Sequence, residues 1–112
     1  MTFGGPNAWT QNLNSDPKLA VCTVSAGTPQ TAIFDQDVVV KRIYIQLWTP
    51  PVNADTYIQI QGIVVLGCYC PAGSFNSLET RACHKVPAGQ TIKGFCDGAG
   101  ASSIWLLEYV YV

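Results

Sequence analysis

The sequence predicts an all-β fold: a single antiparallel β-sandwich, jelly-roll-like, of about eight short strands. Three observations carry this expectation. No stretch of about ten or more residues repeats apolar side chains at i, i+3, i+4 and i+7 without a Pro or Gly break, so helical periodicity is absent. Val, Ile, Thr, Tyr and Trp dominate the regular segments. Clusters of Pro, Gly, Asn and Asp separate those segments at short intervals. A length of 112 residues allows one domain with a core of its own.

Residues 1–18 are polar, with Phe3, Trp9 and Leu13 widely spaced, and read as an N-terminal arm or cover segment. Residues 19–112 then form the sandwich. Its strands are expected at 19–25, 31–34, 38–48, 56–66, 68–70, 80–85, 90–96 and 103–112. Thr49-Pro50-Pro51-Val52-Asn53-Ala54-Asp55 is a loop, because two prolines cannot both sit in a central strand. Asp97-Gly98-Ala99-Gly100 is a turn whose positive φ angles glycine supplies. In strand 38–48, Ile43, Ile45 and Leu47 point one way and Arg42, Tyr44, Gln46 and Trp48 the other. Lys41 falls on the apolar side, which predicts a bulge near it or a position beyond the core's edge. In 56–61, Ile58 and Ile60 face inward while Tyr57, Gln59 and Gln61 face outward.

Charge restricts the function classes. Charged residues are 12% of the chain and the net charge is −1, with the six Lys and Arg scattered. No basic stripe exists to neutralise phosphates, so nucleic acid is not an expected partner. Met1-Thr2-Phe3-Gly4-Gly5-Pro6 lacks the basic and apolar regions of a signal peptide, and the chain reads as made without secretion. The longest apolar run, residues 63–70, is too short to cross a bilayer, so no membrane partner is expected.

The five cysteines pull the other way, since their number is high and odd for such a chain. They are either buried small hydrophobes or partners in one or two disulfides. Cys83 could bridge to Cys68 or Cys70 and close the loop between them, a constraint of about 3 kcal/mol. Cys22 and Cys96 are the second candidate pair. Zinc held by Cys68, Cys70, Cys83 and His84 is disfavoured, because the neighbours Cys83 and His84 would point to opposite faces of a strand. No metal or other cofactor is expected.

Catalysis has little support. His84 is the only histidine, and no serine stands in a G-x-S-x-G context. Asp35, Asp37, Asp55, Glu79, Asp97 and Glu108 could supply a carboxylate pair, but most lie where turns need them. The chain is not expected to be an enzyme.

The last strand is apolar on both faces. Trp105, Leu107, Tyr109 and Tyr111 line one, and Ile104, Leu106, Val110 and Val112 the other, interrupted by Glu108. A small antiparallel sandwich normally has one wet face per strand, so the second face predicts another subunit. The expected interface is therefore Trp105, Leu107, Tyr109 and Tyr111, with Arg42, Tyr44 and Trp48 on the long strand and Phe3 and Trp9 from the arm.

Residues Pro87-Ala88-Gly89-Gln90-Thr91-Ile92-Lys93-Gly94-Phe95, followed by Ser103-Ile104-Trp105-Leu106-Leu107-Glu108-Tyr109-Val110, resemble the closing hairpin of small β-sandwich domains in virus and phage structural proteins. Capsid decoration and cement proteins, spikes and tail-fibre domains are of this kind. The resemblance covers about half of the chain. It implies a non-enzymatic homo-oligomer, a trimer favoured, bound to other capsid or fibre proteins in the virion. The alternative is an extracellular carbohydrate- or receptor-binding module, with a glycan met by exposed aromatics and by Gln46, Gln59, Gln61 or Asn53. A small secreted enzyme or inhibitor stapled by disulfides is a third reading, with the weakest support.

Overall fold

β-Branched and aromatic residues spaced by two build the structure, a computed structural model that describes residues 2–5 and 9–112, with the backbone alone of Thr2 and Phe3. In chain order the strands are β1 (Thr2–Gly4), β2 (Trp9–Asn12), β3 (Lys18–Ser25), β4 (Gln30–Ile33), β5 (Val38–Trp48) and β6 (Ala54–Ile60). They continue with β7 (Ile63–Cys70), β8 (Phe75–Thr80), β9 (His84–Val86), β10 (Thr91–Asp97) and β11 (Ser102–Tyr111). No helix interrupts them among the described residues.

Two antiparallel sheets result. One has the order β1-β4-β10-β6-β7, the other β2-β3-β11-β5-β8, with β9 pairing the first part of β5. The all-β sandwich expectation is met. The segment read as an arm adds an edge strand to each sheet, β1 against β4 and β2 against β3.

The core lies between the sheets. Val38, Val40, Ile43, Ile45 and Leu47 of β5 face Ile58, Ile60, Ile92 and Cys96 of the other sheet within one buried cluster. The bulge expected at Lys41 is present. Arg42 pairs with Glu108 while Val40 pairs with Tyr109, so one residue of β5 is extra and the inward parity shifts there. Gly94 is required where β10 crosses the core, since a Cβ would lie 1.7 Å from Trp105 Cζ2 and Cη2. The sheets are also pinned by a polar contact. Thr56 Oγ1 of β6 lies 2.8 Å from Ser103 Oγ of β11 and 2.8 Å from the Phe95 carbonyl oxygen, and Thr56 and Ser103 are both fully buried.

Two expected strands are divided differently. The span 56–66 turns back at Gln61-Gly62, where φ is 53° and 79°, a two-residue hairpin that joins β6 to β7. The span expected at 80–85 is instead the end of β8, a loop and β9, while Phe75 and its neighbours, read as unpatterned loop, begin a strand.

Candidate functional site

One end of the sandwich gathers the loops 49–53, 71–74 and 98–101. At its rim stand two exposed rings. Trp48 ends β5 and Phe75 begins β8, and the two are direct cross-strand partners. Both point away from the core. Trp48 is 65% and Phe75 50% exposed, and their rings meet edge-on with centroids 5.1 Å apart.

The backbone around the pair is tied down. The Thr49 N–H donates to the Ser74 carbonyl at 2.6 Å, and the Gly73 N–H to the Pro50 carbonyl at 2.8 Å. The Ala72 N–H donates to Asn53 Oδ1 at 3.1 Å, and Asn76 Nδ2 reaches the Tyr69 carbonyl at 2.7 Å. Thr49 itself has φ +44°. A β-branched residue in the left-handed region is a true backbone outlier, and such strain collects at functional sites. Here it sits directly after Trp48.

From Trp48 the outer face continues along β5 through Gln46, Tyr44 and Arg42. The Tyr44 hydroxyl donates to Gln46 Oε1 at 2.9 Å, and Arg42 lies over the Tyr44 ring, 5.7 Å from its centroid. Arg42 Nε donates to Glu79 Oε2 at 2.8 Å and Nη1 to Glu108 Oε1 at 3.0 Å. The hydrogen bond from Arg42 holds the Glu79 carboxyl below its usual range, and the bond to Glu79 raises Arg42. Arg81 Nε also lies 3.4 Å from Glu79 Oε1, so the two cations balance the two carboxylates of this face within the chain. The amide NH2 groups of Gln46 and Asn53 remain free to donate outward, since only their oxygens are engaged.

The expected interface residues are divided by this geometry. Arg42, Tyr44 and Trp48 do share one outer face. Trp105, Leu107 and Tyr109 do not reach the surface; each is fully buried between the sheets, so the face offered to another subunit is the chain's own core. Tyr111 is half-buried, edge-on to Tyr109, with Lys18 over its ring. Trp9 packs against the core from β2. The backbone of Phe3 lies in β1, and its side chain is outside the described residues. It is the opposite face of β11 that meets solvent, with Ile104 43% exposed. Phe75 was not legible as a partner of Trp48, although Phe75, Ser77 and Glu79 alternate outward once β8 is recognised.

No cysteine is paired. Cys22, Cys68, Cys70 and Cys96 are buried thiols and Cys83 is an exposed one, which fits the first of the two readings and lends the disulfides no support. Cys68 and Cys70 turn into the core from β7, where they act as small apolar side chains. Burial pushes the Cys22 thiol up to about 12 and raises Cys68 and Cys96 as well. Iodoacetamide at neutral pH should therefore modify Cys83 in the folded protein and the other cysteines only after unfolding. An intact mass lower by two hydrogens for each of one or two bridges, with one or more thiols left, would restore the disulfides.

Other chemistry is sparse. Among the described residues no three His, Cys, Asp or Glu side chains gather as a metal site. His84 Nε2 is buried without a hydrogen-bond partner, so that nitrogen activates no nucleophile here. A cavity of about 310 Å³ lies at the opposite end of β5, lined by Val38, Val39, Val86, Pro87 and Val112 with Asp37 and Lys85. Asp37 Oδ1 already accepts the Ala88 N–H at 2.8 Å, so this cavity lacks the convergent free polar groups of a ligand site.

No family model matches the sequence, and no curated protein does. Similar solved structures include a family 6 carbohydrate-binding module, at 15% identity over 98% of this chain and 95% of that one, with a TM-score of 0.46. CsCBM6-3 from Clostridium stercorarium, in complex with cellobiose, is 11% identical over 96% and 86%, with a TM-score of 0.47. The GH26-CBM35 β-(1,4)-mannanase of Podospora anserina is 16% identical over 97% of this chain but only 25% of its own length, with a TM-score of 0.49.

Proposed function

We propose that the chain is a non-enzymatic carbohydrate-binding module whose ligand packs on the Trp48–Phe75 step. The observation that carries this reading is a large exposed aromatic pair at a loop-built end, held beside a strained Thr49 and a tied backbone. A pyranose ring has one face of C–H groups, which packs on an aromatic ring, and a rim of hydroxyls that need hydrogen-bond partners. Gln46 and Asn53 offer such partners near the step. Arg42 and Arg81 together balance Glu79 and Glu108 further along the face, which suits an uncharged sugar at the step.

The capsid-or-fibre expectation drew its principal contacts from Trp105, Leu107 and Tyr109, and those side chains are spent on the core. The glycan reading uses side chains that remain outside. A glycan array probed with the native protein, followed by titration of the best ligand, tests it. Trp48→Ala and Phe75→Ala should each weaken binding about tenfold or more, the equivalent of about 1.4 kcal/mol. An empty array, or a ligand bound equally well by Trp48→Ala, would sink the reading.

A further inference from the structure

The outer face of the sheet holding β10, β6 and β7 differs from the Trp48 face in one respect. Its charges are not met by opposite charges among the described residues, although Lys93 Nζ lies over the Phe95 ring, 5.4 Å from its centroid. Asp55, Asp97 and Lys93 enter no ion pair among the described residues. Asp97 stands directly opposite Asp55 across the β10–β6 ladder, a like-charge pairing that costs stability in the free chain. Between the aspartates and Lys93 lies a stacked pair of rings, Tyr57 on β6 and Phe95 on β10, with centroids 4.8 Å apart and planes 13° from parallel.

We infer that this face binds a second copy of the chain about a two-fold axis. The axis lies between the two faces and crosses the strands at the level of Tyr57 and Phe95. It lays β10 antiparallel on its own copy. Asp97 is two residues beyond Phe95 and Lys93 two residues before it, so each Asp97 meets the Lys93 of the second copy. The same operation carries Asp55, the ladder partner of Asp97, onto Gln59, the ladder partner of Lys93. On β7 it carries Tyr69 onto Val64, which are 51% and 54% exposed. Carboxylate therefore meets ammonium or amide, and apolar meets apolar, at each step of the face. Self-complementarity of this kind is what an isologous dimer requires.

Magnitude sets the expected strength. β4, β10, β6 and β7 at about 4.8 Å spacing and seven residues at about 3.3 Å rise give a patch of roughly 19 by 23 Å, about 440 Å² a side, which is the size of weak, transient contacts. The dimer expected is weak, held more by charge complementarity than by area. Because β10 runs antiparallel to its copy, the two Trp48–Phe75 steps lie at opposite ends of the pair. The inference does not depend on what those steps bind.

Sedimentation equilibrium of the native protein, from about 5 to 500 µM, brackets the affinity of so small an interface. A monomer–dimer equilibrium is expected, weakened by added salt as screening shortens the reach of the charges. Lys93→Asp and Asp97→Lys should each raise the dissociation constant about tenfold or more. The double swap within one chain, Lys93→Asp with Asp97→Lys, should bring it back to within about threefold, because the contacts are exchanged and not removed. Circular dichroism confirms that each variant is folded. A monomer throughout the range, a trimer, or a dimer indifferent to both reversals would overturn the inference.

Discussion

Trp105 and Trp48 stand on neighbouring strands of one sheet, yet they have opposite fates. Trp105 on β11 is fully buried beneath Gly94, while Trp48 on β5 is 65% exposed. The difference is one of parity. Trp105 pairs with the inward Ile45, whereas Trp48 follows the inward Leu47 and so turns out. An indole in the core organises packing, and an indole at the rim is available to a ligand. Removing each side chain should separate these roles. Trp105→Ala empties the centre of the sandwich and should cost about 3–5 kcal/mol, a large part of the stability of a domain this size. Trp48→Ala should change stability by less than about 1 kcal/mol while removing the binding surface. Urea unfolding of both variants makes the comparison, and equal losses would erase it.

Gly94→Ala approaches the same core from the other sheet. The new methyl would fall within the Trp105 indole, and a fully buried ring has no free side to move toward. Overpacking of this kind costs about 1–3 kcal/mol, and more where the backbone must shift. Pairing it with Trp105→Ala gives a sharper test. The smaller neighbour leaves room for the methyl, so the double variant should be more stable than the sum of the single losses implies.

The sequence makes Trp105 and Trp48 look alike because alternation shows which residues share a face and not which face is inside. Val38–Trp48, the bulge at Lys41 and the inward Ile58 and Ile60 were all legible, since local period and a misplaced charge mark them. The two-faced β11 was not, since its partners β3 and β5 decide which side the second sheet covers. With Ile104 and Leu106 facing outward, apolarity alone pointed to the wrong side of the strand. The aromatic step was half legible. Trp48 and its outward neighbours Gln46, Tyr44 and Arg42 could be read along one strand, but Phe75 becomes their companion only through the β5–β8 register. Cysteine count left two readings open for a different physical reason: a buried thiol and half a disulfide are the same residue in a sequence.

The two non-glycine residues at positive φ extend the comparison to the backbone. Thr49 has φ +44° beside the aromatic step, and Gln61 has φ +53° in the tight turn between β6 and β7. Gln61 occupies the first position of a two-residue turn that favours Asn-Gly, and its strain serves only to reverse the chain. Gln61→Asn should therefore raise stability by a few tenths of a kcal/mol and leave glycan binding untouched. Thr49 carries a branched Cβ, so its conformation costs more, on the order of 1–3 kcal/mol. Thr49→Gly should recover about 0.5–1 kcal/mol of that after the added freedom of glycine in the unfolded chain is subtracted. The same change loosens the residue that aims Trp48, so binding of the best array ligand should weaken several-fold as the unfolding midpoint rises. Stability and affinity moving in opposite directions would show strain held in the service of the site. A Thr49→Gly protein with higher stability and full affinity would reduce Thr49 to a turn residue like Gln61.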